Sequence, residues 1–286
     1  VFHDPVPFAI VATGLGLLVG SFLNVVAARL PARLAYDFRV QCHEMLDLPL
    51  PRERPPGVFW GRSRCPSCQQ VIVWYDNIPL LSYLALRGRC RHCGVRIPPQ
   101  YPLVEALTAG LSLLASLRLG AGWDAMAAIA LIWLLIVLSV IDWRHQLLPD
   151  SLVFPGLWAG LLLGTQGLFV PCHAAIFGAV AGYLALRMVA EAFHLLTGKV
   201  GMGHGDFKLL ALIGAWLGWQ SLLPVVLMGC LFGLGAAAVR ALLFGTGHHV
   251  PLPFGPALAA AAVCCLLTPT CELWLFSAGS PWSLLP

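Results

Sequence analysis

Ala125-Met-Ala-Ala-Ile-Ala-Leu-Ile-Trp-Leu-Leu-Ile-Val-Leu-Ser-Val-Ile141 carries no charged side chain, and Asp142 closes it. A bilayer core asks for roughly 20 apolar residues per helix, so this run with its flanks reads as a membrane span. It is not alone. Residues 5–28, 151–186, 209–239 and 241–271 also lack Asp, Glu, Lys and Arg. Only 10% of the chain is charged and 59% is apolar, too little charge to solvate a soluble protein of 286 residues. The chain therefore reads as an all-α polytopic membrane protein.

Breaks inside the runs set the number of spans. As one helix, residues 151–186 would reach about 54 Å, nearly twice a hydrocarbon core. Gly164, Gly167 and Pro171 are the natural interruption. Eight spans follow, near residues 8–28, 101–119, 124–141, 151–168, 172–192, 206–219, 224–244 and from Pro253 or Pro256 to 275. A Gly-containing turn at Gly120–Gly122 joins the second to the third. Domain organisation follows as a first span over 1–28, a polar loop domain over 29–100 and a bundle of about seven spans over 101–286. The opening residues to Leu30 lack the basic start of a secretory signal, and their apolar stretch is long enough to span. The chain starts with Val, so a short preceding piece is expected.

Charge placement orients the bundle. Eleven of the seventeen basic residues lie between Arg29 and Arg96, all of them arginine, together with five acids. Loops 29–100, 142–150, 193–205 and 245–252 share one side and, with their flanks, hold nearly all the Lys and Arg. The positive-inside rule makes that side cytoplasmic and puts both termini outside. A basic patch beside a span points to this placement rather than to nucleic acid, and no nucleic-acid partner is expected.

Asp142 ends the third span and Asp206 starts the sixth, both on the cytoplasmic side. Ionisable groups at a span boundary are costly to desolvate and are functional candidates by default. Two carboxylates held together share one proton, so one serves as base and the other as acid. Such a pair can activate water against a peptide carbonyl. The plainer alternatives are that Asp206 caps its helix, that Asp142 is a boundary residue beside Arg144, and that Asp150 rivals Asp142, although Leu-Pro-Asp-Ser also suits an N-cap. Gly201, Gly203 and Gly205 precede Asp206 and would admit an extended strand beside its carboxylate.

Cys65-Pro-Ser-Cys68 and Cys90-Arg-His-Cys93 are separated by 21 residues. Two such turns complete a tetrahedral four-thiolate site, and Gly94 suits the tight turn of a zinc knuckle. Four thiolates leave no open position, so Cys65, Cys68, Cys90 and Cys93 read as ligands of a structural zinc in a small cytoplasmic insertion. Cys172, Cys230, Cys264, Cys265 and Cys271 are expected to pack as small apolar residues, and Cys42 has no partner at a telling spacing. Gly20, Ser21 and Asn24 read as a helix-packing face. Glu105, about one turn into the second span, either supports the reaction centre or pairs with a loop arginine. Arg187 and Glu191 are spaced to pair, and His204 is expected to be exposed.

Taken in order, these pieces resemble the prepilin peptidase (type IV leader peptidase) family in its bifunctional bacterial form. The resemblance runs from Gly20-Ser-Phe-Leu-Asn-Val-Val through the two cysteine pairs enclosing Asp76-Asn-Ile-Pro79, and Tyr101-Pro-Leu-Val-Glu105. It continues through Ile141-Asp142-Trp-Arg-His-Gln-Leu-Leu-Pro-Asp150, Gly201-Met-Gly-His-Gly-Asp206-Phe-Lys208 and Pro253-Phe-Gly-Pro256. The Gly203-x-Gly205-Asp206 piece is similar to the motif of presenilin-type (GxGD) intramembrane aspartyl proteases. The resemblance implies catalysis by Asp142 and Asp206, with Gly203, Gly205, Lys208 and Glu105 in support. It implies cleavage of the basic leader of type IV prepilins or type II secretion pseudopilins, and S-adenosylmethionine-dependent methylation of the new N-terminus. It also implies a multi-pass place in the lipid of the bacterial inner membrane, with the active site facing the cytoplasm. The methyl-donor residues carry no readable motif. A peptidase without methyl transfer is one alternative. An ion-coupled transporter is the other, but transporters usually hold their carboxylates near the midplane between repeats, and no internal repeat is evident here.

Overall fold

The computed structural model describes residues 5–51, 54–58, 61–199, 201–244 and 253–268. The expected loop 245–252 with His248 and His249, the end of the last span toward 275, and Cys271 lie outside the described residues. The described chain is helical apart from loops, with two isolated antiparallel bridges, Arg64 with Val71 and Arg89 with Arg96. It divides into two compact units, Val1–His145 and Gln146–Pro286.

The first unit holds α1 (Pro5–Met45), the short α2 (Leu81–Ala85), α3 (Gln100–Leu119) and α4 (Trp123–His145). Glycine brings α1 onto α3. A Cβ on Gly20 would stand 2.8 Å from the Glu105 Cα, and one on Gly16 would stand 2.9 Å from the Ala109 Cα. Removing the side chains lets the two backbones meet, as small residues four apart do in membranes. Asn24, one turn further, donates to the carbonyls of Gly20 (3.2 Å) and Tyr101 (3.1 Å) and pins the same seam. The expected packing role of Gly20 and Asn24 is therefore what the structure contains. Trp133 of α4 donates to the Ser112 hydroxyl of α3 at 2.9 Å.

The first helix does not stop at Ala28. It continues through the buried Pro31 to Met45, 41 residues in all, or about 61 Å. Pro31 removes the bond to the carbonyl four residues back, but the residues after it are mostly good helix formers. Long side chains on this extension clasp the following loop. Arg29 donates to the carbonyls of Gly57, Gly61 and Arg62, Arg33 to that of Pro55, and the Tyr36 hydroxyl to that of Pro51.

The second unit holds α5 (Asp150–Thr165), α6 (Cys172–Thr197), α7 (His204–Leu217), α8 (Leu222–Phe244) and α9 (Gly255–Leu267). The expected break in 151–186 is present: α5 ends at Thr165, Gly167 takes a φ of 64° and Pro171 caps α6. Helix α7 is the core of this unit, with Leu209, Leu210, Leu212 and Ile213 fully buried. That explains its even apolar character, since a helix covered on all faces needs no polar stripe. On α6, Gly178 and Gly182 face the α7 backbone at Gly214 and Leu210, too close for any Cβ. Trp216 of α7 lies over Gly160 of α5 and donates to the Gly156 carbonyl at 2.8 Å.

Each of the eight expected spans has its own helix. Five of them, α1, α3, α4, α6 and α8, are long and apolar enough to cross a bilayer. The described parts of α5, α7 and α9 have 16, 14 and 13 residues. At 1.5 Å per residue they reach only about 20–24 Å against a hydrocarbon core of about 30 Å. Exposed Leu223, Leu227, Leu231 and Leu234 on α8 form the apolar outer surface that a multi-pass membrane protein turns to lipid.

Candidate functional site

Asp142 lies in the last turn of α4, inside the helix rather than just beyond it, and is 6% exposed. Its neighbour Arg144 donates to the Gln100 side chain at 2.7 Å, so that guanidinium is engaged on α3. Buried carboxylates are rare unless partnered or used. Asp142 belongs to the first unit.

Asp206 belongs to the second. The N-cap of α7 is Gly203, and Asp206 sits in the first helical turn with its N–H donating to the Gly203 carbonyl at 3.2 Å. The capping alternative for Asp206 therefore fails: the helix starts two residues before it, and an extended glycine fills the cap. The three glycines divide their tasks. A Cβ on Gly205 would run into Leu148 at 2.9 Å and one on Gly201 into the Phe193 ring at 2.6 Å, whereas one on Gly203 would meet nothing nearer than the Asp206 carboxylate at 3.9 Å. Only Gly203 leaves open space beside the acid. His204 is exposed, as expected, with its ring edge against Phe207.

Asp150 is the first residue of α5, capped by Pro149, and accepts from the Lys208 ammonium at 2.7 and 2.9 Å. An N-cap role is thus replaced by an ion pair. Lys208, two residues past Asp206, ties the start of α7 to the start of α5, with Phe154 beneath its charge. Arg187 and Glu191 approach to 3.9 Å across one turn of α6, both about half exposed.

The four cysteines of the loop come together. Their sulfurs all lie within 4.8 Å of one another, and Cys65 Sγ is 3.8 Å from Cys93 Sγ. A tetrahedral thiolate centre with metal–sulfur bonds of about 2.3 Å has edges of about 3.8 Å, so the cluster fits a metal ion. The two knuckles repeat one fold. Cys65 N–H donates to the Gln70 carbonyl and Gln69 N–H to that of Cys65. Cys90 N–H donates to the Val95 carbonyl and Gly94 N–H to that of Cys90. Gln69 and Gly94 occupy equivalent left-handed positions, φ 58° and 68°. The N–H groups of Cys68 and Ser67 draw the Cys65 thiol down to about 6. Cys93 is pushed up to about 11: the Val95 N–H pulls it down, but burial and three neighbouring sulfurs outweigh that. A cation among the four would relieve this crowding of negative charge.

Two contacts in the loop carry no sequence signal. The Arg91 guanidinium makes a two-pronged pair with Asp76, one prong 2.7 Å, and holds that carboxyl below the ordinary carboxylate range. Leu80 adopts a φ of 59°, costly for a branched residue, and donates its N–H to Glu105 Oε2 at 2.9 Å. Glu105 thus pairs with backbone rather than with a loop arginine, and it fastens the loop to α3. The remaining cysteines are free thiols among the described residues except Cys265, which is disulfide-bonded. Packing alone therefore does not describe Cys265, near the end of α9.

Fold and site together define a helical multi-pass membrane protein that carries a four-cysteine centre and buries an acid at a helix end. The profile described as Bacterial Peptidase A24 N-terminal domain matches residues 15–119, and that of the Type IV leader peptidase family matches residues 129–238. A protein of Stutzerimonas stutzeri is 48% identical over 265 residues, covering 92% of each chain. One of Pseudomonas putida is 48% identical over 263 residues, 90% of each. One of Xanthomonas campestris pv. campestris is 45% identical over 251 residues, 87% of this chain and 88% of the relative. All three are named prepilin leader peptidase/N-methyltransferase. The chain belongs to the type IV leader peptidase family. No solved structure matches it.

Proposed function

We propose that this protein removes the leader of type IV prepilins or type II secretion pseudopilins and then methylates the new terminal amine. The observation that carries the reading is the near-full-length likeness to proteins named for both activities. The position of Asp142 in the last turn of α4 and of Asp206 in the first turn of α7 supports it.

Asp142 and Asp206 act as one pair sharing a proton. The ionised carboxylate takes a proton from water, whose oxygen attacks the scissile carbonyl carbon, and the protonated partner gives its proton to the leaving nitrogen. Gly203 leaves room beside Asp206 for an extended substrate backbone. The substrate suits such a place. Its basic leader stays on the cytoplasmic side of the inner membrane, its apolar helix enters the bilayer, and its scissile bond is held at the boundary between them. Lys208 and Asp150 brace α7 against α5. Cys65, Cys68, Cys90 and Cys93 would hold one zinc ion in a closed, structural site, and S-adenosylmethionine supplies the methyl group.

The test is incubation of the purified protein with a synthetic prepilin, with and without S-adenosylmethionine, read by mass spectrometry. Leader loss is expected in both arms and one added methyl group only with the donor. Intact prepilin after incubation with folded protein sinks the reading. Cleavage without methylation reduces it to a peptidase.

A further inference from the structure

One edge of the cysteine-bearing loop is apolar and uncovered. Trp74 is 80% exposed, and Leu81 and Leu84, one turn apart on α2, are 65% and 71% exposed. The contact at Leu80 fixes the depth of this edge. Leu80 donates its N–H to Glu105, which also accepts from Ser21 of α1, so the residue before α2 is tied to two spans. Helix α3 has 20 residues, or about 30 Å, the thickness of a hydrocarbon core. Glu105 stands about 7.5 Å along it from Gln100. Segments that lie in a membrane surface bury their apolar face about 5–10 Å into the boundary of headgroups and acyl chains. Leu81, the next residue, starts at that depth. The local backbone suits an apolar medium. The N–H groups of Leu81, Ser82 and Leu84 donate to the carbonyls of Pro79, Ile78 and Leu80, and the Ser82 hydroxyl to that of Ile78, so these donors need no water. Charge points the same way. Between Gly61 and Pro99 stand six arginines and one acid, Asp76, which Arg91 already holds. Arg87 and Arg89, just after α2, are exposed and engage no partner among the described residues. A soluble partner would have to enter the headgroup layer to cover Leu81, whereas lipid is already there.

We propose that this edge of the loop is seated in the bilayer surface. Trp74, Leu81 and Leu84 enter the boundary between headgroups and acyl chains, where aromatic rings are favoured, and Arg87 and Arg89 meet the phosphates of anionic lipid. The inference rests on α1 and α3 crossing the membrane and not on either reaction. Cys90 follows Arg89 directly, so the seat also holds the second cysteine knuckle close to the membrane plane.

Hydroxyl-radical footprinting of the unaltered full-length protein, one copy per lipid nanodisc, tests the seat. Met45 is the reference: it is 87% exposed and lies 17 residues beyond Ala28, about 25 Å further along α1. In discs of phosphatidylcholine with phosphatidylglycerol, Trp74 should oxidise at least about fivefold more slowly than Met45 after correction for intrinsic reactivity, the effect of one arginine at an anionic surface. Leu81 and Leu84 should be protected with it. In discs of phosphatidylcholine alone the protection should weaken, and Arg87→Gln with Arg89→Gln should weaken it equally in the anionic discs. Trp74 oxidised as readily as Met45 in anionic discs overturns the proposal. Protection that arises only when a second copy or a pre-cut pilin is added overturns it too and assigns the edge to that protein. Equal protection in neutral and anionic discs removes Arg87 and Arg89 from the seat. The comparison of Trp74 with Met45 needs no variant, so misfolding cannot mask it.

Discussion

Replacing Gly20 by alanine adds one methyl group where α1 and α3 touch. The new Cβ would lie 2.8 Å from the Glu105 Cα and 3.1 Å from both Cβ and Oγ1 of Thr108. Carbon atoms rest at about 3.5–4.0 Å, so the helices must part by roughly 0.7 Å or more at that point. Overpacking of this kind costs about 1–3 kcal/mol. Alanine also favours a helix over glycine by up to about 1 kcal/mol, which offsets part of the loss. Gly14 supplies the control, since a Cβ there meets nothing within 4 Å. Gly14→Ala should be neutral or stabilising, and the two alanine variants should differ by about 1–3 kcal/mol. Reversible unfolding in mixed micelles measures the difference. Equal stability of the two variants would mean that α1 and α3 do not pack backbone to backbone, and the pinning of Asn24 on Tyr101 would fall with that packing.

Asp142→Asn and Asp206→Asn should each lower prepilin cleavage by about 10²–10⁴-fold, the usual worth of a positioned acid or base, while the protein still accumulates; substantial activity in either purified variant removes that residue from the mechanism. Asp150→Asn should retain cleavage and lose no more than about 1 kcal/mol of stability, because the Asp150 carboxylate of its pair with Lys208 is half-exposed to solvent. Metal analysis of reduced protein should find about one zinc per chain, and replacing Cys65 and Cys68 together should abolish binding and unfold the loop. Arg91 holds the Asp76 carboxyl below its ordinary value, so its stabilising contribution is complete above about pH 4 and fades as pH falls through the lowered value. Hydrogen exchange in the loop should therefore distinguish wild type from Asp76→Asn at neutral pH and converge in acid. Asp206→Asn protein given pre-cut pilin should still methylate it; failure despite retained donor binding would show that the two activities are coupled.

Breaks and seams were legible in the sequence wherever one residue type forced them. Gly164, Gly167 and Pro171 split a run too long for one span, and Gly20 with Asn24 marked the face that α1 turns to α3. The cysteine centre was legible because thiolate geometry dictates ligand spacing, and the likeness across most of the chain is what a string of short motifs in fixed order implies. Other features were hidden for physical reasons. Helix α1 runs on past Pro31 because favourable residues and loop contacts outweigh one lost hydrogen bond. The Asp76–Arg91 pair and the strained Leu80 held by Glu105 are long-range contacts that no periodicity announces. Gly205 looked like room for substrate and proved to be the seat of Leu148, a distinction that only packing can make.

The unbroken run of α1 also acts as a spacer. Gly16 and Gly20 fix its lower half against α3, while Arg29, Arg33 and Tyr36, spaced along one stripe, grip the loop above. Each residue of a helix adds 1.5 Å of rise and about 100° of rotation. Inserting a single alanine between Asn24 and Arg29 would therefore swing all three grips about a quarter-turn away from the carbonyls they now hold. The count of residues between seam and grip is thus a phase as well as a length, and natural insertions in this chain should avoid that interval and collect in the loop instead.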